Sequence, residues 1–142
     1  MRFWDSSALV PLVVEEPASP SCRRLLRGDP AVMVWTLTRT EIVSAVRRKE
    51  RVGDLGLVDV RRALRRIDAL SERWVELDAV IEVRDRADRL LAVHPLSAAD
   101  ALQLGAALIL AGARVRGFSF VTCDSVLAKA AEAEGFAAVL PT

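Results

Sequence analysis

The chain has 142 residues, 52% of them hydrophobic and 27% charged, with 20 basic and 19 acidic side chains and a net charge of +1. That length suits one domain, residues 1–142, with a core that needs no covalent staples; the composition excludes disorder, and two cysteines, Cys22 and Cys123, exclude a disulfide framework. Balanced charge excludes a strong nonspecific grip on nucleic acid, so any RNA contact has to be a local patch, for which arginine, the dominant base here, is well suited by its planar fork.

The elements read in chain order as an alternating α/β pattern. Arg2 to Trp4 is a short strand, and Ser6 to Val14 a helix with a kink expected at Pro11. Asp5 interrupts this opening before an apolar run develops, so a secretory leader is not expected there, and a reducing, cytoplasmic setting fits best. Pro17 to Pro20 reads as a turn and Ser21 to Arg27 as a helix, ended by Gly28-Asp29-Pro30. Ala31 to Trp35 is a second strand. Thr38 to Arg51 is a helix closed by Gly53, and a longer helix follows with Leu57, Val60, Leu64 and Ile67 on one face. Trp74 to Leu77 is a third strand, and Ala79 to Ala92 a helix broken by Pro95. An apolar helix runs from Ser97 to about Gly112; its longest apolar stretch, Leu104 to Ala113, is too short to span a bilayer. Phe118 to Val121 is a fourth strand, Ser125 to Glu134 a helix ended by Gly135, and Ala137 to Leu140 a last strand.

Strands separated by helices imply a parallel sheet covered on both faces, with the functional site beyond the carboxyl ends of its strands. Asp5 directly follows the first strand, Glu41 lies shortly after the second, and Asp124 follows the fourth. Right-handed crossovers bring these three helix starts to one edge. Asp100 opens a helix preceded by another helix, so strand position alone does not bring it there. Taken singly, each acid has a structural explanation. Asp5 and Asp124 suit helix N-caps, and Thr38 to Glu41 and Ser97 to Asp100 have the form of capping boxes. As a group in apolar surroundings, four acids repel one another, and divalent cations relieve that repulsion.

The same residues carry a family resemblance. Asp5-Ser6-Ser7-Ala8-Leu9-Val10, Thr40-Glu41-Ile42-Val43-Ser44-Ala45, Ser97-Ala98-Ala99-Asp100-Ala101-Leu102-Gln103-Leu104 and Phe120-Val121-Thr122-Cys123-Asp124 resemble, in order and spacing, the four motifs of PIN-domain ribonucleases of the VapC toxin type. The resemblance implies a three-layer α/β/α fold with a central, mainly parallel sheet of four to five strands. It implies an endoribonuclease dependent on Mg²⁺ or Mn²⁺, in which Asp5, Glu41, Asp100 and Asp124 bind the metal and Ser6 and Thr122 support it. It further implies a cognate antitoxin as partner, RNA as substrate and a homodimer, with no membrane association. Asp78, after a third strand that the family's strand order places at the sheet edge, reads as an N-cap.

Among the bases, Arg39, two residues before Glu41, is the preferred phosphate contact. The segment from Gly53 to Arg73, with Arg61, Arg62, Arg65 and Arg66, matches no family motif. His94, the sole histidine, reads as a capping or surface residue, and Cys123 as a small apolar one. Competing readings are an inactive PIN-fold binding module, a DNA-directed or flap-type nuclease, and an aspartyl-phosphate receiver or phosphatase. The phosphatase needs Asp-x-Asp after the first strand, where this chain has Ser7; the receiver needs a lysine near the late strands, and Lys129 falls inside a helix.

Overall fold

The computed structural model describes residues 1–142. Five strands, β1 (Arg2–Trp4), β2 (Val32–Trp35), β3 (Val75–Leu77), β4 (Ser119–Val121) and β5 (Ala137–Val139), form one sheet in the order β3-β2-β1-β4-β5. Every neighbouring pair is parallel, with Phe3 in register with Met33 on one side and Phe120 on the other. The connections are seven helices: α1 (Ser6–Val13), α2 (Ser19–Gly28), α3 (Thr38–Arg51), α4 (Leu57–Ser71), α5 (Val80–Val93), α6 (Ala98–Ala111) and α7 (Ser125–Ala133).

The period-two alternation of strands sorts their side chains into two cores. Trp4, Val32, Val34 and Val121 face the layer of α1 to α4, where they meet Leu9, Val13, Ile42, Val46 and Ile67. Phe3, Met33, Trp35 and Phe120 face the layer of α5 to α7, where they meet Val83, Leu104, Leu127 and Ala131. Phe3 stacks on Phe120 at a centroid distance of 5.3 Å. This is the three-layer α/β/α arrangement expected of the sequence.

Helix α6 is apolar all round because both its sides are covered. Gly105 lets it lie against the backbone of α5, since a Cβ there would stand 3.1 Å from the Val83 carbonyl oxygen and 3.3 Å from the Ala87 nitrogen. No single helix is long and apolar enough to cross a membrane.

Three local expectations are corrected. Helix α2 starts at Ser19, with Pro20 in its first turn, where a missing N–H costs no bond; the expected turn to Pro20 is shorter. Helix α5 starts at Val80 without a side-chain cap, so Asp78 is not an N-cap; its carbonyl instead accepts from Val80 N at 2.7 Å. Helix α3 has Leu37 at its N-cap, and the Thr38 capping box does not form, because the Thr38 hydroxyl turns inward to Gln103.

Candidate active site

The order β3-β2-β1-β4-β5 reverses direction at β1, whose connections leave toward β2 on one side while β4 lies on the other. A parallel sheet opens a crevice at such a point, beyond the carboxyl ends of the two strands. Asp5 sits there, one residue past β1 and only 2% exposed. Its N–H donates to the Val121 carbonyl of β4 at 2.9 Å.

One oxygen of Asp5 is saturated. Oδ2 accepts from the Ser7 hydroxyl, from Ser7 N at 3.3 Å and from Thr122 Oγ1 at 2.9 Å. Each hydroxyl is itself oriented by backbone: Cys123 N donates to Ser7 Oγ at 2.9 Å, and Asp124 N to Thr122 Oγ1 at 3.0 Å. The turn after β1 and the turn after β4 are thereby stitched together through one carboxylate. The other oxygen, Oδ1, has the Ser6 hydroxyl at 3.5 Å, but that hydroxyl is closer, at 2.8 Å, to Glu41 Oε2. A hydroxyl has a single proton to donate, so Glu41 takes it and Oδ1 is left without a strong donor.

Glu41, in the first turn of α3, is held from two sides, by Ser6 and by Gln103 Nε2 at 3.2 Å from its Oε1. Gln103 is fully buried, and its amide also reaches Thr38 Oγ1 at 3.2 Å. Asp100 is at the third position of α6. Ser97 caps that helix, its hydroxyl oxygen accepting from Asp100 N at 3.2 Å. Asp124 caps α7, its Oδ1 accepting from Val126 N at 2.8 Å and Leu127 N at 3.0 Å.

The four acids lie in one another's field. Burial, above all, raises the Asp5 carboxyl above the ordinary Asp value, against the pull of its Ser7 and Thr122 hydrogen bonds. Burial likewise raises Glu41, where Ser6 and Gln103 oppose the shift and the charges of Asp5 and Asp100 add to it. Asp100 is raised by burial, then by Asp5 and Asp124. None of the four has a basic partner in any ion pair.

No three of these side chains converge tightly enough to form a closed cage of direct ligands. The donor set nevertheless suits one class of ion. All the available donors are carboxylate and hydroxyl oxygens, the ligands of Mg²⁺ and Mn²⁺ rather than Zn²⁺. Mg²⁺ keeps several of its waters, so carboxylates too far apart to cage it directly, with Asp5 Oδ1 left without a strong donor, are compatible with it.

A groove of about 690 Å³ leads away from the acids between α1 and α3, past Ser6, Ser7 and Val10 on one wall and Thr40, Glu41 and Ser44 on the other. The other sizeable hollow, about 540 Å³ among α1, α2 and α4, contains none of the four acids.

The PIN domain family profile matches residues 2–133. The chain belongs to the PIN-domain family. Among solved structures, FitAcB from Neisseria gonorrhoeae is 16% identical with a TM-score of 0.69, the alignment covering 99% of this PIN domain and 98% of that chain. PAE2754 from Pyrobaculum aerophilum is 21% identical, TM-score 0.63, covering 97% and 88%. FitAB bound to an IR36 DNA fragment is 17% identical, TM-score 0.63, covering 99% and 95%. These likenesses concern the fold. No curated protein sequence matches the chain.

Within this PIN domain, Asp5, Glu41, Ser6 and Thr122 are joined by hydrogen bonds or a shared hydroxyl, whereas Asp100 and Asp124 share no hydrogen bond with the carboxylates of Asp5 or Glu41. Arg39 is engaged elsewhere. Its guanidinium donates to Asp68 at 2.7 Å and to Ser71 at 3.3 Å, both at the end of α4. His94 is paired with Glu134 at 2.6 Å, which anchors the end of α5 to α7. Mutual interaction of the two free thiols, above all, raises Cys22 above its ordinary value and lowers Cys123.

Sequence reasoning overlooked Ser7 and Gln103. Gln103 had a signal: it is the one long neutral polar side chain in an apolar helix, three residues after Asp100 and so on the same face. Ser7 had none, because its role depends on β4 lying beside β1.

Proposed function

We propose that this PIN domain is a Mg²⁺- or Mn²⁺-dependent endoribonuclease and the toxin of a VapBC-type toxin–antitoxin pair. The observation that carries the reading is a buried carboxylate, Asp5, at the switch point of the sheet, whose charge acts on Glu41 and Asp100, with Asp124 acting on Asp100 and no base ion-paired to any of them. Such an arrangement is unfavourable for stability alone and becomes favourable when a cation binds.

Asp5 Oδ1, Glu41, Asp100 and Asp124 would hold the ion, directly or through its waters. When bound, it supplies a water of lowered pKa and positive charge at the phosphate oxygens. The protein's own groups do the positioning. Ser7 and Thr122 keep Asp5 in one rotamer, with Oδ1 on the side of Glu41. Gln103 and Ser6 clamp Glu41, which fixes the wall against which a phosphate is seated. Burial of Asp5 keeps the field of its charge from being screened by bulk water.

FitAB, one of the similar structures, is described bound to an IR36 DNA fragment. By the resemblance of the four motifs, we assign this chain an antitoxin partner and a homodimeric state. The test is cleavage of single-stranded RNA by the purified protein with Mg²⁺ or Mn²⁺. Activity should vanish with EDTA and with Asp5→Asn. Equal cleavage by wild type and Asp5→Asn removes the reading. Mg²⁺-dependent stabilisation against heat, lost in the same variant, is a readout independent of turnover.

A further inference from the structure

Of the four acids only Glu41 lines the α1/α3 groove, and it does not account for the rest of the α3 wall. Thr40, Ser44 and Arg48 are four residues apart on α3, all three are exposed, and all three line the groove. Four-residue spacing stacks side chains into one ridge with an axial step of about 6 Å. Arg48 stands seven residues after Glu41, about 10 Å further along the helix axis.

The charge on this wall is unusual for an arginine-rich helix. The bases that flank Arg48 are both occupied: Arg47 pairs with Glu50 at 3.1 Å, and Lys49 with Glu16 at 3.0 Å. Arg48 pairs with no carboxylate. Glu16 also lines the groove, but its charge is matched by Lys49. Arg48 is therefore the one unmatched cation on a surface whose other unmatched charge, Glu41, belongs to the acid ring. Arginine with serine and threonine hydroxyls is the side-chain set that contacts the phosphates of a nucleic acid backbone, and an arginine fork binds phosphate in two-point fashion.

We propose that the Thr40–Ser44–Arg48 ridge is the track for the RNA backbone next to the scissile phosphate, with Arg48 gripping a phosphate about 10 Å from the acid ring. This deepens the nuclease reading and rests on it for the location of the scissile bond. It also fixes the course of the strand: one arm leaves the acids along the α1/α3 seam toward the Glu16–Lys49 pair. Arg39, bound to Asp68, is left with a structural part in joining α3 to α4.

Binding is measured by fluorescence anisotropy of a short labelled single-stranded RNA, with Mg²⁺, in the cleavage-dead Asp5→Asn parent across a salt series. Adding Arg48→Gln should weaken binding about tenfold. It should also lower the slope of log affinity against log salt by about 0.7, the share of one single-strand phosphate contact. Arg48→Lys should keep the slope and recover part of the affinity, since it keeps the charge and loses the fork. Arg89→Gln, an exposed unpaired base on α5, is the control and should change neither. In the active background, Arg48→Gln should raise KM and leave kcat nearly unchanged. RNA affinity and salt slope in Arg48→Gln equal to those of Arg89→Gln overturn the proposal and reassign Arg48 to another partner, such as an acidic protein segment; a parent that binds no RNA overturns it too. Wild-type protein that binds RNA through Arg48 and cuts none defeats the nuclease reading and leaves the track standing.

Discussion

The two faces of one sheet behave differently. On the α5–α7 face, Phe3, Met33, Trp35 and Phe120 meet an apolar layer in which α6 approaches α5 backbone to backbone at Gly105, and the packing leaves no sizeable hollow. On the α1–α4 face, Trp4, Val34 and Val121 anchor an equally apolar core, yet its carboxyl end parts into a groove lined by serines, threonine and acids. The same short strands supply both faces, so strand composition does not explain the contrast. The connections explain it. The α5–α6 face closes because small residues remove the space between helices, whereas α1 and α3 follow the adjacent strands β1 and β2 and leave a groove between them. One face supplies rigidity and the other a polar opening, and Asp100 and Gln103 reach from the first into the second.

That comparison can be broken at its strongest point with Gly105→Leu. Leucine at a position where even a Cβ meets backbone at 3.1 Å should prevent α5 from docking and leave no cooperative thermal transition in circular dichroism. Gly105→Ala, which asks for a shift of a few tenths of an ångström, should cost about 1–3 kcal/mol in denaturant unfolding. On the other face, Asp5→Asn should fold and lose RNA cleavage by roughly a thousandfold, as expected for a residue central to metal-assisted chemistry. A folded Gly105→Leu protein, or an active Asp5→Asn one, would merge the roles of the two faces.

Gln103 tests the link between the faces. Gln103→Leu keeps the volume but removes the donor to Glu41, so cleavage should fall about 10- to 100-fold while the melting temperature changes little. Cleavage at the wild-type rate would mean that Glu41 needs no support from α6.

The smallest expected effect concerns pH. Asp5, Glu41 and Asp100 are all raised above their ordinary values of 3.8, 4.5 and 3.8. A carboxyl that is raised on folding binds more protons folded than unfolded in the window above its ordinary value. Stability of the metal-free protein from these groups therefore falls as pH rises through that window and grows as pH is lowered into it. Asp100→Asn should accordingly raise the melting temperature in EDTA at neutral pH, by about 1–2 °C, and lower it relative to wild type in Mg²⁺. Scanning calorimetry in the two buffers reads the sign change, and the same sign in both would detach Asp100 from the ion site.

The fold was largely legible from the chain. Apolar periods of two and of three to four residues placed five strands and seven helices, and alternation of the two types required a parallel sheet. The errors fell where backbone geometry, not pattern, decides: Pro20 inside the first turn of α2, and α5 starting without Asp78 as its cap. The positions of the acids at the carboxyl edge were legible, because Asp5, Glu41 and Asp124 each follow a strand. Their supports were less so. Thr38 looked like a capping residue and instead bonds Gln103, a partner 65 residues away.

What the sequence determined by itself was the architecture and the places of its acids: carboxylates just past strand ends, a parallel α/β frame, and one apolar helix destined for the core. These follow from local periodicity and side-chain type. What only the tertiary structure decided was which charges remain free. Arg39 and Arg48 are indistinguishable as residues on one helix; the position of α4 hands the first to Asp68, and the second lines the groove between α1 and α3 without an acidic partner. Arg47 finds its partner three residues away, but that of Arg39 lies 29 residues along the chain, where no local pattern fixes it.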